Sequence, residues 1–229
     1  MARFRPWVTR VVSVALLFVA VAARPARLPE ELAEWPRGAV HWLLLPDETD
    51  TFEHLQNADE ARAFIVAFWA RRDPAHAPPA ASAAHAAAAP AAPAPPDAVL
   101  PHANAFAARF FERVAMADKL YVEEDVRGSL TDRGGALILL GPPPVMRVLR
   151  RKVPALDASR PGRTGEVLEV PVEIWAYRPA DLPELARLEP KLGEAHEITL
   201  TFRAGGPHVT LLDGRSILRL AARAAVEHP

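Results

Sequence analysis

The stretch Gly128-Ser-Leu-Thr-Asp-Arg-Gly-Gly-Ala-Leu-Ile-Leu-Leu-Gly-Pro-Pro-Pro144 runs from a polar turn through an apolar centre to a glycine and three prolines. Residues 136–140 show no polar alternation, so the segment is expected to be covered on both faces. The flanking glycines and prolines favour a central β-strand, although periodicity alone does not separate a strand from a buried helical piece this short. The glycines do not form a phosphate-cradling loop: the pattern Gly-x-x-x-x-Gly-Lys-Ser/Thr is missing, and Gly134 and Gly141 enclose the apolar run.

Toward the N-terminus two helices are strongly patterned. Asn57 and Glu60 have capping-box-like spacing, and Ala61, Phe64, Ile65, Phe68 and Trp69 fall on one face before Arg71-Arg72-Asp73-Pro74 ends the helix. Asn104 caps the second, whose stripe is Phe106, Phe110, Val114, Ala117 and Tyr121, broadened by Phe111. The two aromatic faces are expected to pack together. Shorter helices are expected over 28–35, stopped by Pro36, and over 47–56. Glu123-Glu124-Asp125 reads as a solvated connection.

Toward the C-terminus the period changes from helical to alternating. Residues 145–149 form a second expected strand, ending in Arg150-Arg151-Lys152, and 155–165 a loop. Residues 170–177 alternate Val172, Ile174 and Ala176 against Glu173, Trp175 and Tyr177. A helical turn is expected within 182–192. Residues 196–202 alternate again and turn at Gly205-Gly206 into 209–212, the pattern of a hairpin. A helix over about 216–225 closes the chain. The expected class is α+β, with N-terminal helices packed on a mainly antiparallel sheet of four or five strands and a C-terminal helix.

Composition bounds the rest. The chain has 229 residues, half of them hydrophobic, enough for one sizeable core. Its net charge of −1 gives no global pull toward nucleic acid or an anionic membrane. Arg3, Arg5 and Arg10 precede an apolar run over 11–23, so residues 1–23 are expected to be a secretory signal or, uncleaved, an anchor. No other membrane contact is expected. Residues 24–74 and 104–229 form the expected domain. Residues 75–103, almost wholly alanine and proline, form an excursion too poor in bulky side chains to offset the entropy of ordering.

No cofactor or metal is expected. Without cysteine there is neither a disulfide framework nor a thiolate. His76, His85 and His102 lack ligand spacing, and His196 and His208 lack a third ligand. Ser129, Ser159 and Ser216 have no Gly-x-Ser-x-Gly setting.

Phe68-Trp69-Ala70-Arg71-Arg72-Asp73-Pro74, followed by Thr131-Asp132-Arg133-Gly134-Gly135 and Ile138-Leu139-Leu140-Gly141-Pro142-Pro143, resembles the GWxTD domain of extracytoplasmic bacterial proteins. The segment from Asn104 through Arg109, Arg113 and Asp118 looks like that domain's intervening helix, and Glu173-Ile174-Trp175-Ala176-Tyr177 like its later strand. The likeness covers roughly residues 28–212. Where the motif has Gly-Trp-x-Thr-Asp, this chain has Gly128-Ser129-Leu130-Thr131-Asp132. The resemblance implies a fold and a compartment, and no activity.

The site residues follow from charge and from the motif. Arg71, Arg72 and Asp73 end a core helix, and Thr131, Asp132, Arg133 and Gly134 open the apolar run. The structural reading pairs Asp132 with Arg71 or Arg72, and Asp73 with Arg133 or a backbone amide, because buried ions persist only when paired. The functional reading makes the cluster an open acid and arginine site. Trp175 and Tyr177 are either core or an aromatic binding face. The basic strip Arg147, Arg150, Arg151 and Lys152, without interleaved aromatics, reads as a solvated edge that discourages strand pairing and not as a nucleic-acid site. The expected function is a non-catalytic extracytoplasmic module that binds a protein or an envelope component. The alternatives are a hydrolase-like enzyme using Asp132, Arg133 and Arg72, and a membrane-anchored structural protein.

Overall fold

The computed structural model describes residues 28–75, 104–154 and 167–228. The N-terminal segment, the excursion beyond Ala75 and the loop expected at 155–165 lie outside the described residues. The fold is α+β, with helices gathered on a four-stranded antiparallel sheet whose strands lie side by side in chain order.

The first helices form where their caps are. α1 (Glu30–Glu34) leads through short 3-10 turns at Trp35–Arg37 and Ala39–Trp42 into α2 (Pro46–Glu53). Pro46 pre-sets the first turn of α2, and the Glu48 carboxylate accepts the Leu45 N–H at 3.0 Å. α3 (Ala58–Ala70) starts at Asn57, whose side chain accepts the N–H groups of Asp59 and Glu60. α4 (Ala105–Leu120) starts at Asn104, which accepts from Ala107 N–H at 2.9 Å and donates to the Trp69 carbonyl at 2.7 Å. One asparagine therefore caps α4 and ties it to the end of α3. Trp69 meets Phe110 and Phe111, each at 5.3 Å between centroids, whereas Phe64 and Phe68 pack on Trp35, so the two aromatic faces meet only at the Trp69 edge.

The apolar run 136–140 is not the strand expected of it. It is the second half of α5 (Asp132–Leu140). Thr131 Oγ1 accepts the Gly134 N–H at 3.1 Å and caps the helix, while Gly141, at φ 85°, ends it. A helix covered all round has no polar face, so its sequence loses the 3.6-residue period that would identify it. α5 is such a helix, enclosed by α4, α8 (Arg215–Glu227) and the sheet. Its glycines serve close approach. A Cβ on Gly134 would stand 1.8 Å from the Gly128 carbonyl oxygen, and one on Gly135 2.4 Å from the Trp42 ring.

β1 (Val145–Pro154) pairs with β2 (Val167–Tyr177) from Val145↔Ala176 to Pro154↔Val167. β3 (Ile198–Arg203) pairs only with residues 172–177 of β2, so the far half of the β1–β2 hairpin projects past the sheet. α6 (Pro183–Leu188) and α7 (Pro190–Gly193) connect β2 to β3. β4 (Thr210–Asp213) pairs with β3 across a bulge at Thr201/Phe202. Trp175, Tyr177, Ile198, Leu200, Phe202 and Leu211 share the core with α5 and α8.

Candidate functional site

The expected charged cluster separates into two. Arg72 turns inward from the end of α3 and is completely buried. It meets Glu48 through two hydrogen bonds, at 2.6 and 3.0 Å, and donates to the carbonyls of Leu43 and Phe68, each at 3.0 Å. Its guanidinium lies 3.7 Å from the Phe68 ring centroid. Arg71 approaches the same carboxylate at 2.7 Å. Burial alone would raise the Glu48 carboxyl, but the hydrogen bonds and charge of Arg72, with Leu45 N–H and Arg71, hold it below the usual range. Burial lowers the Arg72 guanidinium, and Glu48 opposes that shift. Asp73 accepts the Ala75 N–H at 3.0 Å, one of the two partners expected for it.

Asp132 does not pair with Arg71 or Arg72. Its carboxylate accepts the Leu211 N–H at 2.6 Å, joining the first turn of α5 to β4. Arg133, the next residue, points to two other acids, Glu123 at 3.2 Å and Glu173 at 3.5 Å, and stacks 5.0 Å from the Tyr121 ring. Glu123 also accepts the Val209 N–H at 3.0 Å and lies 3.8 Å from His208 Nδ1. Glu173 accepts the Trp175 indole N–H at 2.5 Å. Burial raises the Tyr121 hydroxyl, with Glu173 adding to the shift and Arg133 opposing it.

The helix and sheet halves thus meet in a corner of Thr131, Asp132, Arg133 and Gly134, while Arg71 and Arg72 belong to a separate corner built on Glu48, beside which Asp73 turns the chain at the end of α3. The split follows from α5 being a helix, which sends Asp132 and Arg133 toward β4 and β2. The set proposed for a hydrolase, Asp132, Arg133 and Arg72, does not converge.

Trp175 and Tyr177 are core, not a binding face. Trp175 is 0% exposed between Tyr121 and Phe202, and Tyr177 is 2% exposed, with its hydroxyl donating to the Gly141 carbonyl at 2.9 Å. Burial raises the Tyr177 hydroxyl well above its ordinary value. The connection at 123–125 was expected to be solvated, but Glu123 is buried because Arg133 needs a counter-charge.

Three acids carry roles that the reading of the sequence missed. Glu173 offers a signal, since a lone carboxylate within an apolar and aromatic strand must be paired if it is buried. Glu48 sits three residues into α2, a position that suits an acid without naming a distant arginine. Glu123 offers no local signal.

The exposed features lie elsewhere. On β1 the side chains of Val145, Met146, Val148 and Leu149 are exposed, as are Arg150, Arg151 and Lys152. Arg147 pairs with Glu197 at 2.6 Å. Among the described residues no strand lies on the outer side of β1. No group of three metal-ligating side chains occurs among the described residues, nor any helix long and apolar enough to cross a membrane. In comparisons with known proteins, no family model, curated protein or solved structure matches the chain.

Proposed function

We propose that this protein is a non-catalytic extracytoplasmic module that binds another protein by strand addition at β1. The observation that carries the reading is β1 itself, an edge strand of ten residues with Val148 67% exposed and three more apolar side chains beside it. An exposed apolar edge is a ready template for a further strand. Arg150, Arg151 and Lys152 along the same edge select the partner by charge, an extended segment alternating apolar with acidic residues. The basic N-terminal arginines, the apolar run that follows them and the likeness to the GWxTD domain support the extracytoplasmic location. Sequencing the exported protein tests that part, with a mature start at Ala23 or Arg24 expected.

The edge is tested with a short synthetic peptide alternating valine with aspartate and glutamate, and with its lysine counterpart. The acidic peptide is expected to bind, more weakly at high salt, and to lose binding on joint Arg150→Glu and Arg151→Glu replacement. Both arginines are exposed, so the fold should survive. Equal binding of the two peptides, or no effect of the reversal, would sink the reading. A dimer formed through this edge in sedimentation would assign it to a second copy instead.

A further inference from the structure

A cavity of about 300 Å³ lies between α4, the end of α5, α6 and α8, and shares no residue with β1. Its apolar wall includes Phe106, Ile138, Leu182 and Ala221. Its cations are Arg109 and Arg113, four residues apart on α4 and therefore on one face. Arg113 is held in place by donating from Nη1 to the carbonyls of Ile138 and Leu139, at 3.0 and 3.3 Å, at the end of α5. Its other N–H groups meet no acceptor among the described residues, yet they are not sealed off, since the buried side-chain nitrogens without partners there are Nε of Arg72 and Nε of Arg133. Arg109 is exposed and makes no hydrogen bond or ion pair there.

Two like charges one turn apart destabilise each other, and an anion between them relieves that. Burial lowers the Arg113 guanidinium, and the charge of Arg109 lowers it further. The acids lining the cavity leave the arginines free. Asp181 is held by Arg178 at 2.7 Å, and Glu184 forms no ion pair with either arginine.

The geometry points to a binding site for a small amphipathic monocarboxylate, its carboxylate spanning Arg109 and Arg113 and its alkyl tail along the apolar wall. The volume stands at the lower end of small-ligand pockets, which suits a short or medium chain. Arginine forks match a carboxylate in shape as well as charge.

Calorimetric titration with octanoate, 1-octanol and octylamine tests the site. Octanoate is expected to bind saturably with one molecule per chain, about tenfold or more tighter than octanol, the size of one charge-assisted hydrogen bond. Octylamine should not bind. Arg109→Gln, which breaks no hydrogen bond or ion pair, should leave the melting temperature unchanged or slightly raised and weaken octanoate by about tenfold. Equal binding of octanoate and octanol, an Arg109→Gln variant that binds like wild type, or no saturable octanoate binding at low-millimolar concentration would each overturn the assignment.

Discussion

Arg72 and Glu48 meet at 2.6 Å across 24 residues of chain, and no part of the arginine reaches solvent. The pair fixes α2 against the end of α3. Its value lies in mutual neutralisation: together the two ions are tolerated in the core, and either one alone is not.

Glu48→Ala should therefore cost about 3 to 5 kcal/mol, read as a lower urea midpoint at unchanged slope. Joint replacement with Glu48→Leu and Arg72→Met should recover much of that loss, because no uncompensated charge remains. An additive or worse double variant would contradict the pairing.

The same pair sets an acid limit. The folded Glu48 carboxyl lies below its ordinary value of 4.5, so it contributes its full stabilisation above that value. The contribution is lost as pH falls through the lower, folded value, where Arg72 is still charged. Stability measured from about pH 6 down to about pH 3 should fall less steeply in Glu48→Gln than in wild type.

Asp132→Ala should cost about 1 to 3 kcal/mol, the penalty for stranding the Leu211 N–H. Arg71 belongs to the other corner, so Asp132→Ala and Arg71→Ala should add to within about 0.5 kcal/mol in a double-mutant cycle. Coupling well above that would return Asp132 to the arginines.

Gly134→Ala inverts the usual preference. In an open helix alanine would be better by about 1 kcal/mol. Here its methyl group would meet the Gly128 carbonyl oxygen at 1.8 Å, and the turn must move. A loss of about 1 to 3 kcal/mol or more is expected in thermal or urea unfolding, and a neutral variant would mean that the contact yields easily.

Elements governed by near neighbours were legible in the chain. Asn57 and Asn104 cap helices through N–H groups two or three residues away, and β2 and β3 show an alternation in the sequence directly. The class, the antiparallel sheet and the contact of Trp69 with α4 follow from such local signals. Residues 136–140 read as a strand because burial on every side erases the period that separates helix from strand.

The site was less legible because its partners are distant. Arg71, Arg72, Asp132 and Arg133 were recognisable as charges that need partners, and Trp175 and Tyr177 as aromatics that need cover. Which partners they have depends on where α5 lies. Once that segment is a helix, Asp132 faces β4, Arg133 faces Glu123 and Glu173, and Arg72 is left to Glu48. Local composition marked Asp132 and Arg133, beside Thr131 and Gly134, as charges in need of partners. Tertiary packing alone decided which elements they join, because a hydrogen bond between residues 79 apart has no counterpart in local propensity.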